Sequence, residues 1–167
     1  AQKKVIPYLY SDLKSGKQMN RLLQGDVGSG KTIVAFVCAL ISIGGGAQGA
    51  LMAPTEILAQ QHFNNLSKYA SLMKIPIALL TGSTKKSERK QIHEALQSGV
   101  LKILIGTHAL LEEEVKFQNL GLAIIDEQHR ETKQKIIEHD SVTMKKNTKC
   151  KQHQQYFYSG TRISWFA

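Results

Sequence analysis

The chain has 167 residues, of which 42% are hydrophobic and 21% are charged, and this balance excludes a disordered or collagen-like chain and favours one globular domain. Lys and Arg outnumber Asp and Glu by 22 to 13, so the net charge is +9 and polyanions such as nucleotides and nucleic acids are the expected partners. The sequence contains no apolar run of membrane-spanning length and does not begin with a secretory signal, so we expect no membrane contact and a cytosolic location.

Over residues 1–130 short apolar runs alternate with longer amphipathic stretches. This pattern predicts an α/β fold in which a mostly parallel sheet is flanked by helices. Each run is short and apolar enough to be a strand buried between helix layers. The predicted strands are Arg21–Gln24, Gly49–Ala53, Ile75–Leu80, Lys102–Gly106 and Leu120–Asp126.

The stretches between these strands predict three helices. The first covers Lys31–Ile43 and ends at the glycines 44–46, which accept the backbone conformation of a helix end. The second covers Thr55–Ala70 with a cap at its Pro54-Thr55 start, and the third runs to Gln97 after a cap at Ser83 or Thr84. A solvated basic face is expected on this third helix, formed by Lys85, Lys86, Arg89 and Lys90.

The character of the chain changes after Arg130. Residues 131–167 are rich in Lys, Gln and His, lack the alternation of strands and helices, and carry a net charge of +4. We therefore expect a divergent, basic and poorly ordered tail at 131–167, and an incomplete α/β lobe at 1–130.

A phosphate-binding loop is predicted between the first strand and the first helix. Its glycines allow successive backbone N–H groups to face one anion at the positive end of the helix dipole. Lys31 is expected to reach the β- and γ-phosphates of ATP, and the Thr32 hydroxyl to bind Mg²⁺. The loop sequence, G-x-x-x-x-G-K-[ST], consists of Gly25, Asp26, Val27, Gly28, Ser29, Gly30, Lys31 and Thr32.

A pair of carboxylates ends the last predicted strand. Asp126 is expected to hold Mg²⁺, and Glu127 to orient or deprotonate the water that attacks the γ-phosphate. Because ligands of open α/β sheets bind beyond the carboxyl ends of the strands, Thr32 and Asp126 should face the same crevice. With Lys31, these carboxylates are the predicted catalytic residues.

Five segments resemble the ATP-binding, RecA-like lobe of superfamily 2 helicases, and among these the RecG-type DNA helicases that act on branched DNA. Their order and spacing also match this family. The segments are QMNRLLQGDVGSGKT (18–32), LMAPTEILAQQHF (51–63), LLTGSTKKSER (79–89), ILIGTHALLEEEVKF (103–117) and NLGLAIIDEQHR (119–130).

The resemblance implies further roles. Gln2 resembles the adenine-contacting residue of the Q motif, while Gln128 and His129 resemble residues that couple the nucleotide state to DNA. Three segments resemble contacts to the phosphates of DNA that do not read its sequence. They are Pro54, Thr55 and Glu56 (motif Ia), Thr81, Gly82 and Ser83 (the TxGS element), and Thr107 and His108 (motif Ib).

The resemblance ends at Arg130. The Phe-Gly-Val segment and the Ser/Thr-Ala-Thr motif of the family are not intact, so we expect residues 131–167 to be a truncated, frameshifted or diverged end. The resemblance also implies a second RecA-like lobe and a junction-binding wedge domain, and neither is recognisable here. We therefore expect slow or undetectable ATP hydrolysis by these residues alone, and no unwinding of DNA.

Two other functions are alternatives to a helicase lobe. A basic lobe that binds nucleotide or nucleic acid without turnover fits the same motifs and differs from the helicase lobe by the absence of hydrolysis. An ABC-type ATPase would carry a Ser-Gly-Gly-Gln signature between its two nucleotide motifs, and this chain has none.

Overall fold

A six-stranded sheet forms the centre of the computed structural model, which describes residues 6–11, 19–23, 30–126 and 161–165, with only the backbone given for 19–22 and 161–165. The strands are β1 (Met19–Leu23), β2 (Gln48–Met52), β3 (Ile77–Leu80), β4 (Ile103–Gly106), β5 (Leu120–Ile125) and β6 (Thr161–Trp165). The helices are α1 (residues 6–11), α2 (Lys31–Gly44), α3 (Glu56–Leu72) and α4 (Lys86–Gln97), with a 3₁₀ helix at His108–Leu111. All five predicted strands and all three predicted helices are present, with ends shifted by at most two residues.

The sheet order is β1-β6-β5-β2-β4-β3. Strands β3, β4, β2 and β5 are parallel, so the prediction of a mostly parallel sheet flanked by helices is confirmed. β6 lies between β1 and β5 and is antiparallel to both. No strand was predicted at these positions, which belong to the tail expected to be poorly ordered, and the rest of that tail lies outside the described residues. In the described part of the chain β1 pairs with β6 alone.

Helices cover both faces of the sheet. One face packs α2 and α3 against inward residues of the strands, including Leu51, Ile105 and Leu122. The other face packs α4 and the 3₁₀ helix against alternate strand residues, including Met52 and Leu104. Strands β2, β4 and β5 are therefore buried on both sides, as their continuous apolar sequences predict.

The helix ends agree in part with the predicted caps. Thr55 is the N-cap of α3, and its hydroxyl accepts the N–H of Leu58 at 3.3 Å, as predicted. The prediction for α4 is wrong, because its N-cap is Lys85, which makes no side-chain cap. The predicted caps are used elsewhere: the Thr84 hydroxyl accepts the N–H of Thr81, and the Ser83 hydroxyl donates to Glu56.

A buried side-chain amide stabilises the turns at the edge of the sheet where the parallel strands begin. Gln48, only 1% exposed, donates its side-chain N–H groups to the carbonyl oxygens of Leu96 and Leu101 at 2.9 and 2.7 Å. Its Oε1 accepts the backbone N–H of Asn119 at 2.9 Å. The side chain thus joins β2 to the ends of α4 and of the loop before β5, with each of its polar atoms satisfied.

Candidate functional site

The start of α2 carries the described part of the phosphate loop. Gly30 is the N-cap, with a φ of 83° that glycine adopts without strain, and its carbonyl accepts the N–H groups of Ile33 and Val34. Lys31 and Thr32 are the first two helical residues, both half-buried. The other predicted loop residues, Gly25, Asp26, Val27, Gly28 and Ser29, lie outside the described residues.

The first turn of α2 fits an anionic ligand. No side chain caps it, and it contains no acidic residue. The helix dipole is positive at this end, and backbone N–H groups at a helix N-terminus are favourable donors to an anion, so both the charge and the donors suit a phosphate. The residues present therefore fit a nucleotide phosphate.

Asp126 lies directly after β5, at the carboxyl edge of the sheet. Its backbone N–H donates to the carbonyl of Met52, the last residue of β2, at 2.9 Å. Oδ2 of its side chain lies 2.7 Å from Nε2 of His62 on α3. Glu127, Gln128, His129 and Gln2 lie outside the described residues.

His62 is a site residue that the sequence analysis missed. It is buried on the face of α3 that also carries Ala59, Leu66 and Ala70. A histidine at helical spacing from the small and apolar residues of this face is the sequence signal that could have found it. Its partner is 64 residues away in the chain, so no local pattern indicated the contact.

The three predicted DNA-contact segments lie at one edge of the sheet. Pro54 and Thr55 follow β2, Thr81 to Ser83 follow β3, and Thr107 and His108 follow β4. Since these strands are parallel, their carboxyl ends meet at the same edge, where Asp126 also lies.

The polar residues of these segments differ in exposure. Thr81 and Thr107 are buried, whereas Thr55, Ser83 and His108 are exposed. The Thr81 hydroxyl lies 2.9 Å from that of Ser83, and the Thr107 backbone binds Leu80 and Leu110. The exposed residues are therefore the ones that a nucleic acid can reach in this arrangement.

Two side chains hold the loop after β3 in place. Glu56, in the first turn of α3, accepts the N–H and the hydroxyl of Ser83 at 3.2 and 2.9 Å. Arg89 on α4 donates to the Thr81 carbonyl at 2.9 Å and also binds Glu112. Arg89 is half-buried, so its predicted place on a solvated basic face is wrong, while Lys85, Lys86 and Lys90 are exposed as expected.

The chain is similar in sequence and structure to known helicases. Residues 1–165 match the DEAD/DEAH box helicase family. Over 130 residues, 78% of this chain, the sequence is 53% identical to the ATP-dependent DNA helicase RecG of Synechocystis sp. and 51% identical to that of Bacillus subtilis. A solved structure of RecG bound to a three-way DNA junction matches with a TM-score of 0.73 and 50% identity over 77% of this chain.

The match covers a small part of each relative. The chain spans 16% of the Synechocystis protein, 19% of the Bacillus protein and 18% of the RecG chain in the solved structure. The resemblance to RecG-type helicases and the RecA-like fold class are confirmed by these comparisons. Among the residues that the structure describes, no helix combines the length and apolar character needed to cross a membrane.

Proposed function

Because the chain belongs to the DEAD/DEAH box helicase family, we propose that it forms the ATP-binding lobe of a DNA helicase of the RecG type. In that helicase ATP hydrolysis is coupled to the remodelling of branched DNA, such as replication forks and Holliday junctions, in recombination and repair. Because the relatives from Synechocystis sp. and Bacillus subtilis are bacterial proteins, we place the activity in the bacterial cytosol, at the nucleoid.

The observation that carries this proposal is the common position of Lys31, Thr32 and Asp126. The helix that begins with Lys31 and Thr32 follows β1, and Asp126 follows β5; both strands run antiparallel to β6 and so point the same way. The two motifs that we propose bind phosphate and metal therefore lie at the same edge of the sheet.

Each residue has a defined task in this proposal. The N–H groups of residues 25–32 and the Lys31 ammonium bind the phosphates, while the Thr32 hydroxyl and the Asp126 carboxylate hold Mg²⁺, which would neutralise phosphate charge when bound. Glu127 orients the attacking water, and Gln2 contacts adenine. Gln128 and His129 transmit the nucleotide state to the DNA side.

DNA is proposed to bind along the exposed groups that follow β2, β3 and β4. Thr55, Ser83 and His108 would contact backbone phosphates without reading bases, and the net charge of +9 adds a salt-dependent attraction. Thr81 and Thr107, together with Pro54 and Gly82, would hold the backbone of these loops so that the exposed groups face the DNA.

A second function is favoured for the 167 residues by themselves. They correspond to 16–19% of the length of their relatives, and some P-loop NTPases hydrolyse their nucleotide quickly only when an arginine finger is supplied from outside the nucleotide-binding lobe. We therefore propose that this chain alone binds nucleotide or nucleic acid without rapid turnover.

Binding of a fluorescent ATP analogue to the purified chain, with and without Mg²⁺, tests the proposal. Lys31→Ala should abolish binding, whereas Lys116→Ala, which removes an exposed charge, should not. Equal binding by both variants, or none by the folded wild-type chain, would contradict a nucleotide site. Anisotropy with a labelled single-stranded oligonucleotide at low and high salt tests the DNA partner, and an affinity that is absent, or that does not fall as the salt concentration rises, would contradict the proposed contacts to backbone phosphates.

A further inference from the structure

A hydrogen bond joins the middle of α3 to the carboxylate that ends β5. Nε2 of His62 lies 2.7 Å from Oδ2 of Asp126, and the two side chains are only 11% and 13% exposed. Because little water competes for these atoms, the contact fixes the carboxylate more firmly than a surface pair would.

Packing alone does not account for histidine at this position. The neighbouring residues on the same face of α3 are Ala59, Leu66 and Ala70, and an apolar side chain would continue that face. A buried imidazole loses hydration, and this loss is offset only when its ring nitrogens find partners. The partner that the structure gives to His62 Nε2 is Asp126.

We propose that His62 is a positioning residue for the metal site: its Nε2–H donates to Oδ2 of Asp126 and orients this carboxylate to bind Mg²⁺. The inference rests on the proposed function, in which Asp126 is a ligand of the nucleotide-bound ion. Groups that hydrogen-bond to metal-binding carboxylates fix their orientation, and their loss typically lowers metal affinity by about 10- to 100-fold.

A titration of Mg²⁺ against the chain and a fluorescent ATP analogue tests this role. For His62→Ala, the Mg²⁺ concentration at half-maximal binding should rise by about 10- to 100-fold, while binding in EDTA stays unchanged. His62→Gln should recover most of the loss, since its amide nitrogen can donate from nearly the same place as Nε2. His93→Gln makes the same replacement at a half-buried site on α4 and should not change the titration.

The results separate this role from the proposed function. Wild-type binding that depends on Mg²⁺ but is unchanged by His62→Ala would overturn the role of His62 and leave the proposed function intact. An equal loss of binding with and without Mg²⁺ in both His62 variants would indicate a packing role and overturn the inference. If His62→Ala fails to fold by circular dichroism, His62→Leu, which fills the space without a donor, takes its place, and an unchanged Mg²⁺ midpoint in that variant would overturn the inference. A wild-type chain that is folded but binds no nucleotide would overturn both proposals.

Discussion

Both carboxylate oxygens of Glu56 are hydrogen-bonded to Ser83, one to its backbone N–H and the other to its hydroxyl. The same two donors are those that a DNA phosphate would use in the proposed interface. Gly82 leaves space for this contact, since a Cβ there would lie 3.2 Å from Oε1 of Glu56. The carboxylate therefore stands where a phosphate is expected, and it must move or lose its charge when DNA binds.

Neutralising this carboxylate should strengthen DNA binding. Glu56→Gln removes a negative charge from the place of the phosphate, and we expect roughly fivefold tighter binding of single-stranded DNA at low salt. Fluorescence anisotropy measures the affinity. Glu113→Gln, which removes an equal charge at an exposed position, is the control. An equal gain in DNA affinity in both variants would show that only the net charge matters and would contradict a local effect of Glu56.

The close contact between β3 and β4 predicts intolerance of a side chain at Gly106. A Cβ on Gly106 would lie 2.0 Å from the Leu80 carbonyl oxygen of the paired strand, so Gly106→Ala must separate the strands. We expect a loss of about 3 kcal/mol in the free energy of unfolding, measured with urea. At Gly49 the same Cβ would meet Ala39 at 3.6 Å, an ordinary contact, and Gly49→Ala should cost less than about 1 kcal/mol. Similar losses in the two variants would contradict this account.

The buried amide of Gln48 should tolerate neither an apolar nor an acidic replacement. Gln48→Leu leaves the Leu101 carbonyl without its 2.7 Å donor, and we expect a cost of about 2 kcal/mol. Gln48→Glu places a carboxylate against that carbonyl, so it should cost more at pH 7 and recover stability as the pH is lowered and the acid is protonated. Urea unfolding at pH 5 and 7 measures both effects. Gln97→Glu, at an exposed position, should show neither.

The buried thiol of Cys38 should make stability fall at alkaline pH. Burial raises the pKa of Cys38 from 9.0 to about 11. Below pH 9 the thiol is protonated in both states, but between pH 9 and 11 the unfolded chain releases its proton while the folded chain keeps it. Folding stability then falls as the pH rises, by about 1 kcal/mol per pH unit.

A comparison with Cys38→Ala isolates this effect. Other groups titrate in the same range, but they are common to both proteins, so the difference in urea unfolding free energy between pH 8 and 10 reports Cys38. Both proteins carry Cys150→Ser so that a second thiol does not contribute. A difference that does not change with pH would show that the thiol is not protected by burial.

The features that could be predicted from the sequence are those that depend on residues close together in the chain or on the regular geometry of the sheet. Five of the six described strands were visible because buried strands are continuously apolar, and the Thr55 cap was visible because a hydroxyl reaches an N–H three residues ahead. The position of Asp126 at the sheet edge followed from the parallel arrangement of the strands. In each of these cases the interacting groups are close in sequence or share one repeated geometry.

Contacts between distant residues were not predictable. His62 meets Asp126 across 64 residues, and Gln48 meets Asn119 across 71, so each appeared in the sequence only as a polar residue in an apolar setting. A cap at Ser83 was expected on local grounds, but Glu56, 27 residues away, accepts this hydroxyl instead. Tertiary competition for a hydroxyl has no local signature.

The pairing of β1 with β6 has a consequence for how the chain acquires its nucleotide site. Residues 19–23 find their pairing partner in residues 161–165, about 140 positions later, so docking of the strand before the phosphate loop requires closure of a very long loop. On the ribosome this step must wait until residue 165 has left the exit tunnel, while β2 to β5 can already associate. Assembly of the proposed ATP site is therefore expected to be a late event in synthesis, after the sheet edge that holds the proposed DNA contacts has formed.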